Sequence, residues 1–198
     1  MQEIINNIIE IFNANPVAQT FGLIAFIVQI FGVINKDDKK LILFQSFASI
    51  FWIVHFGLMG LFITSVIAFI NMMRGFTVLK FPKNIKIFLI FVIIYGINAV
   101  YNYQNLSSIL AIVASFTALY AFFFLSGKGI LFRLTLFGVG ITWMAYHFLN
   151  HSIGGVMTEI TMTSLNLLTV FRLYRDKINL KNNLNLELEP ELVEINKK

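Results

Sequence analysis

The chain has no cysteine, which excludes a disulfide, a thiolate metal site and a cysteine nucleophile. Charge is scarce: Asp, Glu, Lys and Arg make up 13% of the 198 residues, about half the share of an ordinary soluble domain. Proline occurs only at 16, 82 and 190, outside every long apolar run. There is no nucleophile elbow, phosphate-binding loop or HExxH motif, so nothing points to an enzyme or to a bound cofactor. The start, M-Q-E-I-I-N-N-I-I-E, lacks a basic n-region and a small-residue cleavage site. The first apolar segment is therefore expected to be retained.

What is present is apolar. Hydrophobic residues make up 58% of the chain, 22 of them Phe, and the mean hydropathy is +0.78. The pattern predicts an all-α integral membrane protein with seven transmembrane helices. Residues 1–16 form an amphipathic N-terminal segment, with Ile4, Ile5, Ile8, Ile9, Ile11 and Phe12 on one face. A membrane domain follows over 17–175, with spans at about 17–34, 41–56, 61–80, 87–103, 109–125, 130–149 and 156–174. Each approaches the length that a hydrocarbon core of ~30 Å demands at 1.5 Å rise per residue. Residues 176–198 alternate Leu, Asn, Glu and Lys and read as a cytoplasmic, poorly ordered tail.

The basic residues test this count. With seven spans, the loops at 35–40, 81–86 and 126–129 share one side with the tail. All 15 Lys and Arg fall in or beside these segments. The positive-inside rule then places the N-terminus outside and the C-terminus in the cytoplasm. This distribution makes the basic residues topology signals; no nucleic-acid partner is implied. Arg74 and Arg172, near inner ends, are expected to snorkel to the headgroups.

Spans one to three (17–80) and five to seven (109–175) match in charge and loop layout, with span four (87–103) as a linker. F-W-I-V-H-F at 51–56 echoes T-W-M-A-Y-H-F at 142–148. Gly60 precedes Asn71 by eleven residues, as Gly155 precedes Asn166. An odd linker restores orientation, so this is a 3+1+3 parallel repeat about an axis along the membrane normal, a layout known in transporters.

Polar side chains at depth are the candidate site. Asn71 and Asn166 fall near the middle of their spans and Asn98 nearer the outer end of span four. These three, with Trp143, are the candidate substrate-binding residues. The competing reading is that the asparagines bond between helices and that Trp52 and Trp143 are interface anchors. Glu159 is the only acid inside any span. With His147 it forms a candidate proton-coupling pair, against the alternative of a packing carboxyl hydrogen-bonded across helices. His147, His151 and Glu159 also raise a metal site, but zinc needs three or four converging ligands. His151 falls in a turn, so no metal is expected. His55 is read as structural. Gly138 and Gly140 allow close helix approach.

From Trp143 onward the chain resembles the YgjV-type family of small bacterial inner-membrane proteins. The resemblance rests on the Trp143–His147 pair, S-I-G-G at 152–155, Glu159, Asn166 and Arg172. It implies the inner membrane as location. The layout is also similar to the SWEET and PQ-loop group, in which an Asn of the third helix of each repeat lines the pocket. That resemblance implies Asn71 and Asn166 at those places. Those families hinge on a proline in the first helix of each repeat, which this chain lacks. The expected function is a small-solute transporter or facilitator with a polar pocket near the bilayer midplane. The alternative is a non-transporting membrane receptor or assembly protein. The lipid bilayer and an unidentified small polar solute are the expected partners, and homo-oligomers are compatible with the sequence.

Overall fold

The structure, a computed structural model, describes residues 15–60, 62–103, 108–149 and 153–195. The amphipathic segment expected over 2–12, the turn at 150–152 with His151, and most of the Q-N-L-S-S turn lie outside these residues. The described residues are helical, with no strand. In chain order the helices are α1 (Pro16–Val33), α2 (Asp38–Leu58), α3 (Phe62–Lys80), α4 (Ile85–Asn102), α5 (Ser108–Tyr120), α6 (Ile130–Leu149) and α7 (Ile153–Ile195). Each overlaps one of the seven expected segments, although α7 runs well past residue 174. Four segments are long and apolar enough to cross a membrane, namely α1, α2, Ser108–Leu125 and α6, and Ile85–Tyr101 is a shorter apolar helix.

Local chemistry sets the helix starts. Asn15 caps α1 by accepting from Ala18 N at 3.1 Å, with Pro16 in the first turn, where its missing N–H costs nothing. Asp37 caps α2 through Lys39 N, and Asn84 caps α4 through Lys86 N and Ile87 N. Gly60 ends the α2–α3 turn at φ +74°, a conformation glycine adopts without a Cβ clash. The end of α5 widens into a π-helical turn, Ala121–Leu125, closed by Ser126 N on Ala121 O at 3.1 Å.

Within each trio the middle helix packs against both chain neighbours: α2 against α1 and α3, α6 against α5 and α7. Helix α4 leans on α5, and α1 meets α7. The main core is gathered at one end of the bundle. It joins Val33, Leu41, Ile42 and Val78 of the first trio to Phe91, Leu119, Phe122, Phe123 and Phe132. Farther along the helices a small cluster of Ala114, Ala118 and Val139 has Trp143 packed on it, and Ala18 and Ala25 of α1 are fully buried. Outward-facing Ile, Leu, Val and Phe, such as Ile93, Val100, Phe148 and Phe171, suit contact with lipid.

Three expectations change. From Asp176 on, where a poorly ordered tail is expected, α7 continues as helix to Ile195. Leu, Lys and Glu are good helix formers, and extending a formed helix avoids the cost of nucleation. Arg74 does not snorkel; it is buried. Gly138 faces open space, whereas Gly140 lies against Thr163 of α7, so only Gly140 lets α6 and α7 approach.

At Gly32, α1 lies close against the start of α2. A Cβ there would lie 2.8 Å from Phe44 Cβ and 3.3 Å from the Leu41 carbonyl. Gly32→Val is expected to destabilise the protein by about 1–3 kcal/mol in detergent, measured by thermal unfolding. Gly138→Ala should leave the midpoint unchanged; equal effects would remove the assigned contact.

Candidate functional site

The last turn of any helix leaves carbonyls without intrahelical donors, and in an apolar environment each costs several kcal/mol. At the C-terminus of α1 side chains of the second trio supply those donors. Arg133 Nη1 donates to Val33 O at 3.1 Å and Nη2 to Asn35 O at 2.6 Å. Thr169 Oγ1 also reaches Val33 O at 3.0 Å, and Arg172 Nη1 reaches Ile34 O at 2.7 Å. A cation at a helix C-terminus is further favoured by the helix dipole.

Arg133 has no exposed side-chain surface, so its charge requires a partner. That partner is Asp38, in the first turn of α2, itself 5% exposed, with Arg133 Nε donating to Oδ1 at 3.2 Å. The other carboxylate oxygen accepts from Gly127 N at 2.9 Å and Gly129 N at 3.0 Å. Loop 34–37 is thus clamped to loop 126–129 and to α6 and α7. Lys36 and Asp176 add an exposed ion pair, whose hydrogen bond holds the Asp176 carboxyl below its ordinary range. Being solvent-screened, that pair contributes little.

A second polar cluster joins α3 to α4. Tyr95 O–H donates to Asn71 Oδ1 at 2.5 Å and accepts from Arg74 Nη1 at 3.1 Å. The Arg74 guanidinium lies 4.2 Å from the Phe122 ring centroid, a cation–π arrangement that suits a charge removed from water. Its Nε has no hydrogen-bond partner among the described residues.

The sequence-predicted residues therefore fall into separate places. Asn166 is buried and donates to Arg133 O at 2.8 Å, while its Oδ1 and the nearby Thr163 Oγ1 are unpartnered among the described residues. Asn71 is half-buried in the Tyr95 cluster. Asn98 is half-buried in α4, toward its C-terminal end. Trp143 stacks on His147, their ring centroids 5.8 Å apart. Glu159 faces α6 beside Thr163, 3.5 Å from where a Gly140 Cβ would stand. No hydrogen bond or ion pair between described residues joins Glu159 to His147, and no group of metal-ligating side chains occurs among them. His55 Nδ1 lies 2.7 Å from Ala18 O, against Gly22, as expected of a structural residue. Sequence reasoning missed Asp38 and Tyr95, and it read Arg133 as a topology signal. Arg133 held one clue, its position four residues into an apolar helix.

Two open cavities, of about 460 and 540 Å³, lie at the clamped end. The first is lined by Phe31, Ile34, Asn35, Lys36, Phe44 and Arg172. The second is lined by Lys83, Ile85, Phe88, Tyr120, Phe124 and Lys128. Neither touches Asn71, Asn98, Trp143, Glu159 or Asn166.

Comparison with known proteins gives one family. A family model described as bacterial inner membrane protein, Imp-YgjV, matches residues 16–177. The inner membrane protein YgjV of Escherichia coli (strain K12) is 26% identical over 158 residues, which cover 80% of this chain and 85% of that protein. No solved structure matches.

Removing one partner of the buried pair leaves the other charge uncompensated, so Asp38→Asn and Arg133→Met are each expected to cost about 3–5 kcal/mol. The double variant should recover part of that loss. Thermal unfolding in detergent measures it; single variants as stable as the wild type would mean that the pair does not hold the loops.

Proposed function

Because this chain belongs to the YgjV family of bacterial inner membrane proteins, we propose that it is a seven-span small-solute facilitator drawn closed at its cytoplasmic end. It is a multi-pass inner-membrane protein; the substrate path, seven-span topology and repeat are the proposal. The observation that carries it is the unequal closure of the bundle. The core and the bonds tying α1 and α2 to α6 and α7 lie at one end. Toward the other end, among the described residues, the bonds Asn15–Leu58 and His55–Ala18 lie within the first trio. Parallel-repeat transporters work by rocking one unit against the other about a fixed site. The similar packing of the two trios supports such units.

In this reading Asn71 with Tyr95 and Arg74, and Asn166 with Thr163, supply the polar contacts to the solute from the two trios. Asn98 and Trp143 stand nearer the outer mouth. The unpartnered Arg74 Nε, Thr163 Oγ1 and Asn166 Oδ1 are donors and acceptors available to a solute. Buried groups of this kind stay unpaired at a cost of about 1–3 kcal/mol each. Glu159 is the proton-coupling carboxyl, reached from outside, and His147 acts near it. No enzymatic step is part of the proposal.

A second reading, a receptor or assembly protein without transport, is favoured by one observation: neither open cavity reaches Asn166. Uptake into proteoliposomes decides between them. Uptake of a small polar solute, lost on Asn166→Ala, is expected for a facilitator. Protein that folds and stays indifferent to every polar metabolite supports the receptor. Glu159→Gln is expected to abolish the dependence of uptake on external pH; an unchanged pH profile would remove the proton role.

Orientation has its own test. A reporter fused after Asn150 is expected to be active only outside, and one after Lys198 only in the cytoplasm. The reverse pattern would overturn the topology.

A further inference from the structure

The cavity between α4 and the end of α5 is lined by two lysines, Ile85 and three aromatic rings. Lys83, in the turn before α4, holds a left-handed backbone at φ 61°, uncommon for a residue with a Cβ. Its N–H donates to Phe123 O at 3.1 Å, in the π-helical turn. That turn releases backbone carbonyls from the α-helical pattern and so makes this bond available. Lys128 sits in the loop after it, with its N–H on Leu125 O at 2.9 Å and the flanking Gly127 and Gly129 pinned to Asp38. Two lysines are thereby fixed in backbone position on either side of one opening. Neither forms an ion pair among the described residues, in which the ion pairs are Lys36–Asp176 and Arg133–Asp38.

Beneath the lysines the wall is apolar and ordered. Phe88 and Phe124 meet edge-on at 5.0 Å between ring centroids, and Tyr120 lies 5.3 Å from Phe124. Ile85 and Leu89 continue this surface along the outer side of α4, both more than half exposed. The opening therefore presents two uncompensated cations at a helix end and, along the helices, an apolar aromatic strip. A soluble anion would use the cations and leave the strip in water. A neutral lipid would cover the strip and leave the cations unpaired.

We propose that this cavity is a binding site for one anionic phospholipid, its phosphate held between Lys83 and Lys128 and an acyl chain lying along Phe88, Tyr120 and Phe124. Because the same loop is fixed by Asp38, a lipid seated here braces the clamp between the two trios. The inference does not depend on transport.

The test uses full-length protein in neutral detergent, with phosphatidylglycerol, phosphatidylcholine or inorganic phosphate added. Native mass spectrometry reads retained lipid and thermal unfolding reads stabilisation. Phosphatidylglycerol is expected to be retained and to raise the unfolding midpoint, phosphatidylcholine and phosphate to do neither. At roughly 1 kcal/mol per lysine near a headgroup, K83Q/K128Q should weaken retention at least about tenfold. K177Q/K181Q, removing equal charge from the exposed part of α7, should retain lipid like the wild type. K83R/K128R, which keeps both charges, should also retain it, and this variant serves if the glutamine pair does not fold. Equal loss in the two glutamine variants, or full stabilisation by inorganic phosphate alone, would overturn the proposal.

Discussion

The ion pair between Asp38 and Arg133 is the constraint on which the arrangement of the two trios depends. Burying either charge alone is prohibitive, and burying both is tolerated only when the remaining donors and acceptors are filled. Here the Arg133 Nε and both terminal nitrogens donate, and both oxygens of Asp38 accept. The same bonds satisfy the end of α1 and fix loop 126–129. Removing them would leave free carbonyls, free amides and a free charge together, in a place with little water. That coupling explains why α1 meets α7 at this end, although the chain between them is long.

Burial follows the same asymmetry. Large aromatic side chains fill the clamped end, while the smaller cluster of Ala114, Ala118 and Val139 packs against Trp143. Within the first trio the N-terminal half of α1 is tightly packed: Ala18, Gly22 and Ala25 are buried, and Gly22 lies against His55 of α2.

Much of the architecture was legible in the sequence because hydropathy and loop charge are local signals. The apolar runs end where Asn15, Asp37 and Asn84 start new helices, and these caps are visible as residues. The tail beyond Asp176 misled because its composition is polar, although its Leu, Lys and Glu residues favour helix. The clamp was hidden for another reason. Asp38 looks like an ordinary loop acid, Arg133 like an ordinary loop-flanking cation, and 95 residues separate them. Arg74 and Arg172 carry the same signal as any snorkelling arginine; only their partners, Tyr95 with Phe122 and the Ile34 carbonyl, distinguish them. For Asn166, mid-span position marked it as a polar residue needing a partner but did not identify Arg133 O as that partner.

One buried pair, Asp38–Arg133, holds the two trios together at the clamped end. The chain has no cysteine, so spin labels can be placed at Lys36→Cys and Lys128→Cys without background. The distance distribution between them, measured in lipid by pulsed electron paramagnetic resonance, is the direct test. A short, narrow distribution is expected, one that broadens and lengthens when Asp38→Asn is added. A distribution that is broad from the start, or one that Asp38→Asn leaves unchanged, would contradict that expectation.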